Sequence, residues 1–244
     1  MGLARLTLHG DLVALLASSR RGKPVDQAFF GTAAVKDVVE AAGIPHPEVD
    51  YLLVDGNGVP LSQRISGEVR VSVFPHGLAP EPRPSVQVGF PFPDPRRFVL
   101  DVHLGGLASE LRMLGFDTVW SNHADDPDLA RVAAIEDRVL LTRDLGLLKR
   151  SEVRHGYFPR ATATRGQLQE VLRRFDLLPR SLPFTRCLRC NGLLLPVEKF
   201  EVESQLPPCV REEHDQFRRC QGCQQVYWKG SHHTEMLARI SRLG

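Results

Sequence analysis

The chain has 244 residues, 42% of them hydrophobic and 25% charged, and its formal net charge is +2. Such values are ordinary for a soluble globular protein, and the small net charge does not by itself indicate a nucleic-acid partner. The sequence shows neither a secretory signal nor the run of about 18 apolar residues that spans a bilayer. We therefore expect a cytoplasmic protein with no membrane partner.

Residues 1–78 carry the pattern of a small α+β domain. In chain order, the expected elements are a strand at residues 6–9, a second strand ending at Phe30, a helix between Thr32 and Gly43, and strands at residues 51–54 and 69–73. Thr32 is the expected cap of the helix, and Gly43 is expected to end it. Strand, strand, helix, strand, strand is the order of a ubiquitin-like β-grasp domain.

A Pro-rich linker and an alternating region follow. The prolines of residues 79–95 exclude a long helix and indicate a linker. Across residues 96–182, strands at 98–100, 116–120 and 139–141 alternate with helices that begin near Leu104, Asp126 and Thr164. We expect Asp126 to cap its helix, and Thr164 and Gln167 to form a capping box. Such alternation predicts a parallel sheet covered on both faces.

Four cysteines in residues 183–244 form two Cys-x-x-Cys pairs, Cys187 with Cys190 and Cys220 with Cys223. In a reducing compartment this spacing indicates a metal site before it indicates disulfides. Two such pairs can place four thiolates tetrahedrally around Zn²⁺ and leave no open coordination position, so we expect a structural zinc. The alternative is a set of buried or redox cysteines, and Cys209 has no assigned role.

Acidic residues come after two of the predicted strands. Asp101 follows residues 98–100 directly, and Asp144 lies shortly after residues 139–141. Because ligands gather beyond the carboxyl ends of parallel strands, we expect both carboxylates at one edge, joined by Asp126 and its neighbour Asp125. Clustered carboxylates favour Mg²⁺ or Mn²⁺, which activates water and stabilises the transition state of phosphodiester cleavage. The alternative is that each Asp caps the helix that follows it.

Basic and aromatic residues accompany these acids. Arg143, Lys149 and Arg150 surround Asp144 in sequence, and Arg112 lies on the polar face of its predicted helix. We expect them to contact an RNA backbone, although such residues are also common on solvated surfaces. Trp228, beside the last cysteine pair, is a candidate for stacking on an unpaired base. Its alternative role is packing beneath the zinc site.

Several segments resemble the Mut-seven C-terminal RNase family, a branch of the PIN-like nucleases. The matching stretches are DVHLGGLA at residues 101–108, LRMLGFD at 111–117, the pair Asp125 and Asp126, and LLTRD at 140–144. Residues 186–191 and 226–232 are similar to the zinc ribbon of that family. Residues 45–50 and 71–75 resemble the ubiquitin-like domain that is often fused to it. The resemblance implies an α/β fold, with a β-grasp domain before a PIN-like parallel sheet and a C-terminal zinc ribbon.

The resemblance also implies roles for individual residues. Metal-binding acids are implied at Asp101, Asp126 and Asp144, and Arg143 is implied as a phosphate-facing neighbour. Many PIN-like relatives carry an acid or Asn shortly after the first Asp, where this chain has His103. This departure leaves Asp125 as the candidate fourth ligand. Because PIN-like domains commonly pair, a homodimer is a further expectation.

Three functions are consistent with these observations. The first is a divalent-metal-dependent ribonuclease that hydrolyses RNA phosphodiester bonds, with transfer RNA or other structured RNA among its candidate substrates. The second is a non-catalytic zinc-ribbon adaptor that binds RNA. The third is an interaction protein that recruits a protein partner through its ubiquitin-like domain.

Overall fold

The computed structural model describes residues 1–241, without the side chains of His232 and Arg239. The strands are β1 (Gly2–Leu8), β2 (Val25–Phe29), β3 (Thr32–Ala34), β4 (Val49–Val54), β5 (Asn57–Gly58), β6 (Arg64–Ser66), β7 (Glu68–Pro75), β8 (Arg97–Leu100), β9 (Asp117–Trp120), β10 (Val139–Leu141), β11 (Gly156–Tyr157), β12 (Leu194–Val197), β13 (Phe217–Cys220) and β14 (Val226–Trp228). The helices are α1 (Val35–Ala42), α2 (Gly105–Met113), α3 (Asp126–Ile135), α4 (Leu145–Leu148), α5 (Thr164–Phe175), α6 (Lys199–Val202), α7 (Pro208–Glu213) and α8 (Ser231–Ile240).

These elements form two compact units. The first contains residues 1–103 and 123–160, and the second contains residues 104–122 and the chain from Ala161 onward. The domain boundaries expected from the sequence, at residues 1–78, 79–95, 96–182 and 183–244, stay predictions. The two units are defined by spatial compactness, whereas those boundaries were defined by sequence pattern.

The N-terminal part of the first unit is a β-grasp sheet with the strand order β2-β1-β7-β4-β5. Strands β1 and β7 run parallel, while β1 with β2 and β4 with β7 are antiparallel. Helix α1 buries Val35, Val38 and Val39 in the core of this domain. The predicted ubiquitin-like fold is therefore confirmed.

Of the two caps predicted for α1, the structure has the one at the C-terminal end but not the one at the N-terminal end. Gly43 ends the helix in the left-handed conformation at φ 113°, as predicted. Thr32 does not cap it, because Thr32 belongs to β3 and pairs with Ser66 of β6. Ala34 occupies the cap position without a side-chain hydrogen bond.

The Pro-rich segment, residues 79–95, packs along the β-grasp domain. The N–H groups of Val88 and Gly89 donate to the carbonyl oxygen of Asp50 at 2.9 and 3.2 Å. The guanidinium Nε of Arg83 donates to the Tyr51 hydroxyl at 2.6 Å. The segment is thus held by hydrogen bonds at several points.

The first unit also contains three parallel strands, in the order β11-β10-β8. Their residues are almost all fully buried, since Phe98, Val99, Leu100 and the three residues of β10 are each 0% exposed. Such continuous apolar strands are typical of a parallel sheet covered on both faces. The predicted parallel sheet is confirmed.

The second unit joins α2, β9 and α5 to the cysteine-rich region. Helices α2 and α5 pack together, and Gly106 allows this approach because a Cβ there would lie 2.8 Å from the Thr164 hydroxyl. The predicted Thr164 capping box is wrong: α5 has Ala163 at its cap, and the buried Gln167 side chain donates to the carbonyl of Ala161 at 3.1 Å. Strands β12, β13 and β14 form an antiparallel sheet beside the cysteines.

Candidate functional site

Two similar turns present the four paired cysteines of the second unit. In the first, the Cys187 N–H donates to the Gly192 carbonyl at 2.8 Å, and Asn191 adopts a positive φ of 70°. The second turn links β13 to β14. There the Cys220 N–H donates to the Gln225 carbonyl at 3.0 Å. Each turn folds back on its own backbone, which directs both of its sulfur atoms to the same side.

The sulfur atoms are spaced for one metal ion. The Sγ atoms of Cys187 and Cys223 lie 3.6 Å apart, and those of Cys190 and Cys220 lie 3.3 Å apart. A disulfide would need about 2.05 Å, whereas a tetrahedral site with Zn–S bonds of about 2.3 Å needs about 3.8 Å. Among the described residues, these four cysteines are the group whose metal-ligand atoms all lie within 4.8 Å of one another. The cluster can therefore hold a zinc ion, and the exposed Cys209 lies outside it.

Hydrogen bonds around Cys187 favour its thiolate. The Tyr227 hydroxyl lies 3.1 Å from the Cys187 sulfur and accepts the Leu188 N–H at 3.2 Å. Burial by itself raises the pKa of the Cys187 thiol. The Tyr227 hydroxyl and the N–H groups of Cys190 and Arg189 outweigh this effect and lower the pKa to about 7. A thiolate is the form that binds metal.

Arg112 does not lie where the sequence pattern placed it. The residue is 4% exposed, and burial lowers its pKa from the ordinary value. Its guanidinium donates to the carbonyl oxygens of Thr118 at 2.9 Å, Leu188 at 3.0 Å and Arg189 at 3.2 Å. The prediction of a solvent-facing Arg112 is wrong, because the first cysteine turn covers this face of α2. Arg112 instead joins that turn to β9.

In the first unit, Asp101 lies at the carboxyl end of β8, as predicted from the sequence. The residue is 6% exposed. It accepts a hydrogen bond from the Thr142 hydroxyl, one from the His103 N–H at 2.8 Å and one from the Arg143 N–H at 3.2 Å. All three donors are uncharged groups, so they stabilise the carboxylate without neutralising its charge.

Thr142 connects Asp101 to Asp144. Its hydroxyl oxygen donates to the Asp101 carboxylate and accepts the Asp144 N–H at 2.9 Å. The exposed Asp144 carboxylate caps the short helix α4, accepting from the N–H groups of Gly146 at 2.6 Å and Leu147 at 3.2 Å. The structure thus joins two of the predicted acids through one side chain, and the capping role foreseen for Asp144 is also present.

Asp125 and Asp126 both lie at the start of α3, and both are exposed. The predicted cap position is wrong by one residue, because the Asp125 carboxylate accepts the Asp128 N–H at 2.9 Å while Asp126 is already helical. The described part of the chain contains no set of three carboxylates as closely spaced as the cysteine cluster. Asp126 and Asp125 thus stay predicted ligands.

The other residues predicted to contact RNA lie in different environments. The Arg143 guanidinium lies 5.6 Å from the centre of the Phe158 ring. Lys149 and Arg150 are half-buried at the end of α4, and Arg150 pairs with the exposed Glu152 at 3.2 Å. Trp228 packs against an apolar cluster of the ribbon that is separate from the cluster containing the cysteines, which Tyr227 contacts instead. It also lines a cavity of about 520 Å³.

Sequence reasoning gave no role to Glu48 or Phe158, and it treated Tyr227 as an aromatic that could stack on RNA bases and not as a partner of the cysteines. Glu48 is 1% exposed, a burial that an isolated Glu in a sequence does not reveal. The Phe158 ring lies beside Arg143, and Tyr227 contacts Cys187 from 40 residues away. A signal was available only for Tyr227, which follows the second cysteine pair.

The first unit thus has an acid at the end of one parallel strand, linked through a threonine hydroxyl to the backbone of an acid after the next strand. The model of the Mut7-C RNAse domain matches residues 96–240, and that of the Mut7-C ubiquitin domain matches residues 1–79. The chain therefore belongs to the Mut7-C RNAse family, as its sequence resemblance predicts, and this membership supports a nuclease or RNA-related function. No curated protein and no solved structure matches the chain.

Within residues 1–241, no helix is long and apolar enough to cross a membrane.

Proposed function

We propose that this protein is a divalent-metal-dependent ribonuclease that hydrolyses RNA phosphodiester bonds, with transfer RNA or other structured RNA as its substrate class. The observation that carries the proposal is the link from the Asp101 carboxylate through the Thr142 hydroxyl to the backbone N–H of Asp144, at the carboxyl ends of the parallel strands. Asp126 is the proposed third ligand, and Asp125 a further acid of the site.

The environment of Asp101 supports a bound cation. The carboxylate of a residue that is 6% exposed carries a large desolvation cost, and its hydrogen bonds come from uncharged donors. Carboxylate oxygens are the ligands that Mg²⁺ and Mn²⁺ prefer, so the donor set fits either ion. When bound, such an ion activates water and stabilises the charge of the phosphoryl transition state. The chain itself holds Asp101 rigidly and leaves the Asp144 carboxylate open to solvent.

We further propose that the four cysteines bind a structural Zn²⁺. The sulfur spacings of 3.6 and 3.3 Å are close to those of a tetrahedral thiolate site, which leaves no position for substrate. RNA contacts are proposed for Arg143, Lys149 and Arg150 around the acids. Trp228 is proposed as a base-stacking residue in the cavity of the ribbon.

The test is cleavage of labelled transfer RNA and single-stranded RNA by the zinc-loaded protein, with Mn²⁺, with Mg²⁺ and with EDTA. Asp144→Asn is the informative variant, because Asn is as good a helix cap as Asp but lacks the charge. The proposal predicts metal-dependent products that Asp144→Asn and Asp101→Asn lose. Asp128→Asn, an exposed neighbour in the first turn of α3, is the matched control and should cleave normally. Full activity in Asp144→Asn would reduce this residue to a helix cap.

A second candidate function is an RNA-binding adaptor without catalysis. One observation favours it. The sulfur atoms of the four cysteines are close enough to share a metal ion, whereas the carboxylates of Asp125 and Asp126 do not form such a close group with those of Asp101 and Asp144. This candidate predicts that RNA binds with a steep salt dependence but is not cleaved in Mn²⁺. Metal-dependent products would eliminate it.

The partner proposals rest on the domain composition. The RNase domain suggests interaction with RNA, and the ubiquitin-like domain suggests interaction with a protein. A homodimer and a cytoplasmic location stay predictions from the sequence.

A further inference from the structure

The ubiquitin-like domain contacts the neighbourhood of the acidic edge through one buried carboxylate. Glu48 lies in a 3-10 turn directly before β4 and is 1% exposed. Its Oε1 accepts the Phe158 N–H at 2.7 Å and Nη1 of Arg160 at 2.9 Å, and its Oε2 accepts Nη2 of Arg160 at 3.1 Å. Both partners follow β11 in the nuclease domain, within the same compact unit.

The ion pair between Glu48 and Arg160 is maintained despite its burial. Burial by itself lowers the pKa of Arg160, but the Glu48 carboxylate outweighs this effect, and the pKa is raised. Arg160 also donates to the Phe158 carbonyl at 2.6 Å and lies 4.7 Å from the centre of the Tyr157 ring. Loss of one partner of such a pair is costly, because the other charge then stays buried alone.

Apolar contacts extend the same interface. Leu145 and Phe158 of the nuclease domain pack against the hydrophobic core of the ubiquitin-like domain. Gly156 permits close approach, since a Cβ there would lie 3.3 Å from the Cβ of Pro47. The imidazole Nε2 of His46 lies 2.9 Å from the carbonyl oxygen of Val153. The two domains are therefore joined along the whole length of β11 and its flanks.

The contacts between the two domains adjoin residues of the proposed nuclease site. The Phe158 ring lies 5.6 Å from the Arg143 guanidinium carbon, within the range of a cation–π contact. The Arg143 N–H donates to the Asp101 carboxylate at 3.2 Å. Leu145 directly follows Asp144 in sequence. A displacement of Phe158 would thus change the surface on which the Arg143 side chain rests.

We propose that Glu48 is a positioning residue: by holding Phe158, it orients the Arg143 guanidinium beside the acidic edge, so the ubiquitin-like domain forms part of the nuclease site. The effect on cleavage rests on the proposed nuclease function, whereas the orientation of Arg143 does not. The two parts are therefore tested separately.

The orientation is tested by nuclear magnetic resonance of the full zinc-loaded chain. The Phe158 ring should shift the Nε–H resonance of Arg143, and Phe158→Leu, which keeps an apolar contact, should abolish that ring-current shift. Glu48→Gln is expected to lose it as well. Asp11→Asn is the matched control. Asp11 pairs with the same nitrogen of Arg160 as Glu48 does, Nη2, at 3.3 Å, but its side chain is 54% exposed whereas that of Glu48 is buried. A wild-type Arg143 shift in folded Glu48→Gln would overturn the proposal.

The consequence for activity is tested by a double-mutant cycle. Arg143→Ala and Glu48→Gln are each expected to lower kcat/KM for RNA about tenfold, and the double variant should be no worse than Arg143→Ala alone. Additive losses would overturn the positioning role, since they would show that Glu48 acts independently of Arg143. If Glu48→Gln does not fold, the cycle of Phe158→Leu with Arg143→Ala decides in the same way. Absence of cleavage by the wild-type chain would remove the proposed function, while the resonance experiment would still decide the orientation.

Discussion

Replacing Arg112 by methionine should weaken the second unit by about 3 kcal/mol. Methionine keeps most of the apolar stem but donates no hydrogen bond. The carbonyl oxygens of Thr118, Leu188 and Arg189 would lose their partner, and each unsatisfied buried acceptor costs roughly 1–3 kcal/mol. The total stays near the lower end of the sum because Nη1 is shared between two of these bonds.

Fluorescence is a suitable assay for this loss. The chain contains 2 tryptophans, and both Trp120 and Trp228 belong to the second unit. Urea unfolding of the zinc-loaded protein therefore reports on the unit that Arg112 stabilises. With a slope of about 2 kcal/mol per molar urea, a loss of about 3 kcal/mol lowers the midpoint by about 1.5 M.

Arg173→Met is the matched control. Arg173 is exposed on α5 of the same unit, and its Nε donates to the Gln169 carbonyl of the same helix at 3.3 Å, so its loss should cost less than about 0.5 kcal/mol. Equal midpoints for the two variants, together with weaker RNA binding by Arg112→Met alone, would refute the reasoning. They would show that the guanidinium faces RNA and does not hold the cysteine turn.

Three further substitutions test other contacts, and two of them are paired with a control glycine. Gly192→Ala would place a Cβ 2.7 Å from the Cys220 sulfur, so we expect zinc affinity to fall about tenfold in a chelator competition; Gly222→Ala, whose Cβ would lie 3.4 Å from the nearest sulfur, should bind normally. Asp144→Ala removes the cap of α4 and should lower the free energy of unfolding by about 1 kcal/mol in urea, unlike Asp144→Asn. Gly115→Ala combines a φ of 91° with a Cβ 2.1 Å from the Leu182 carbonyl oxygen and should cost about 3 kcal/mol by fluorescence. Gly56→Ala, with a positive φ and no atom within 4 Å, should cost only about 1 kcal/mol in a circular-dichroism melt.

The features that the sequence predicted correctly are local ones. Alternation and apolar runs identify β7 and β10 because each pattern is contained within a few neighbouring residues. Asp101 follows a strand at once, so its place at the sheet edge could be read directly. The paired cysteines were equally recognisable, because the spacing within each pair is itself the signal.

The errors arise where distant parts of the chain decide the outcome. Thr32 is a good helix cap in isolation, but its pairing with Ser66 draws it into a strand. Arg112 has a polar helix position, yet it is buried by Leu188 and Arg189, which lie 76 and 77 residues further along. Glu48 finds its partner Arg160 at a separation of 112 residues. No periodicity within a short window carries such information.

The interrupted path of the second unit has a consequence for synthesis on the ribosome. Residues 104–122 emerge early, whereas α5 and the cysteine turns that complete their unit come only after Ala161. Residues 1–103 and 123–160 are available to fold first, since domains generally form as soon as their residues have been made. Until α5 and the cysteine turns have been made, Leu107 and Leu111 have no completed core to pack into, although both are 0% exposed in the finished protein. With the structural zinc proposed above, the ribbon would be completed only when the thiolates bind metal. Cellular zinc supply would then control the last step of maturation, and zinc starvation would leave newly made chains open to aggregation or degradation.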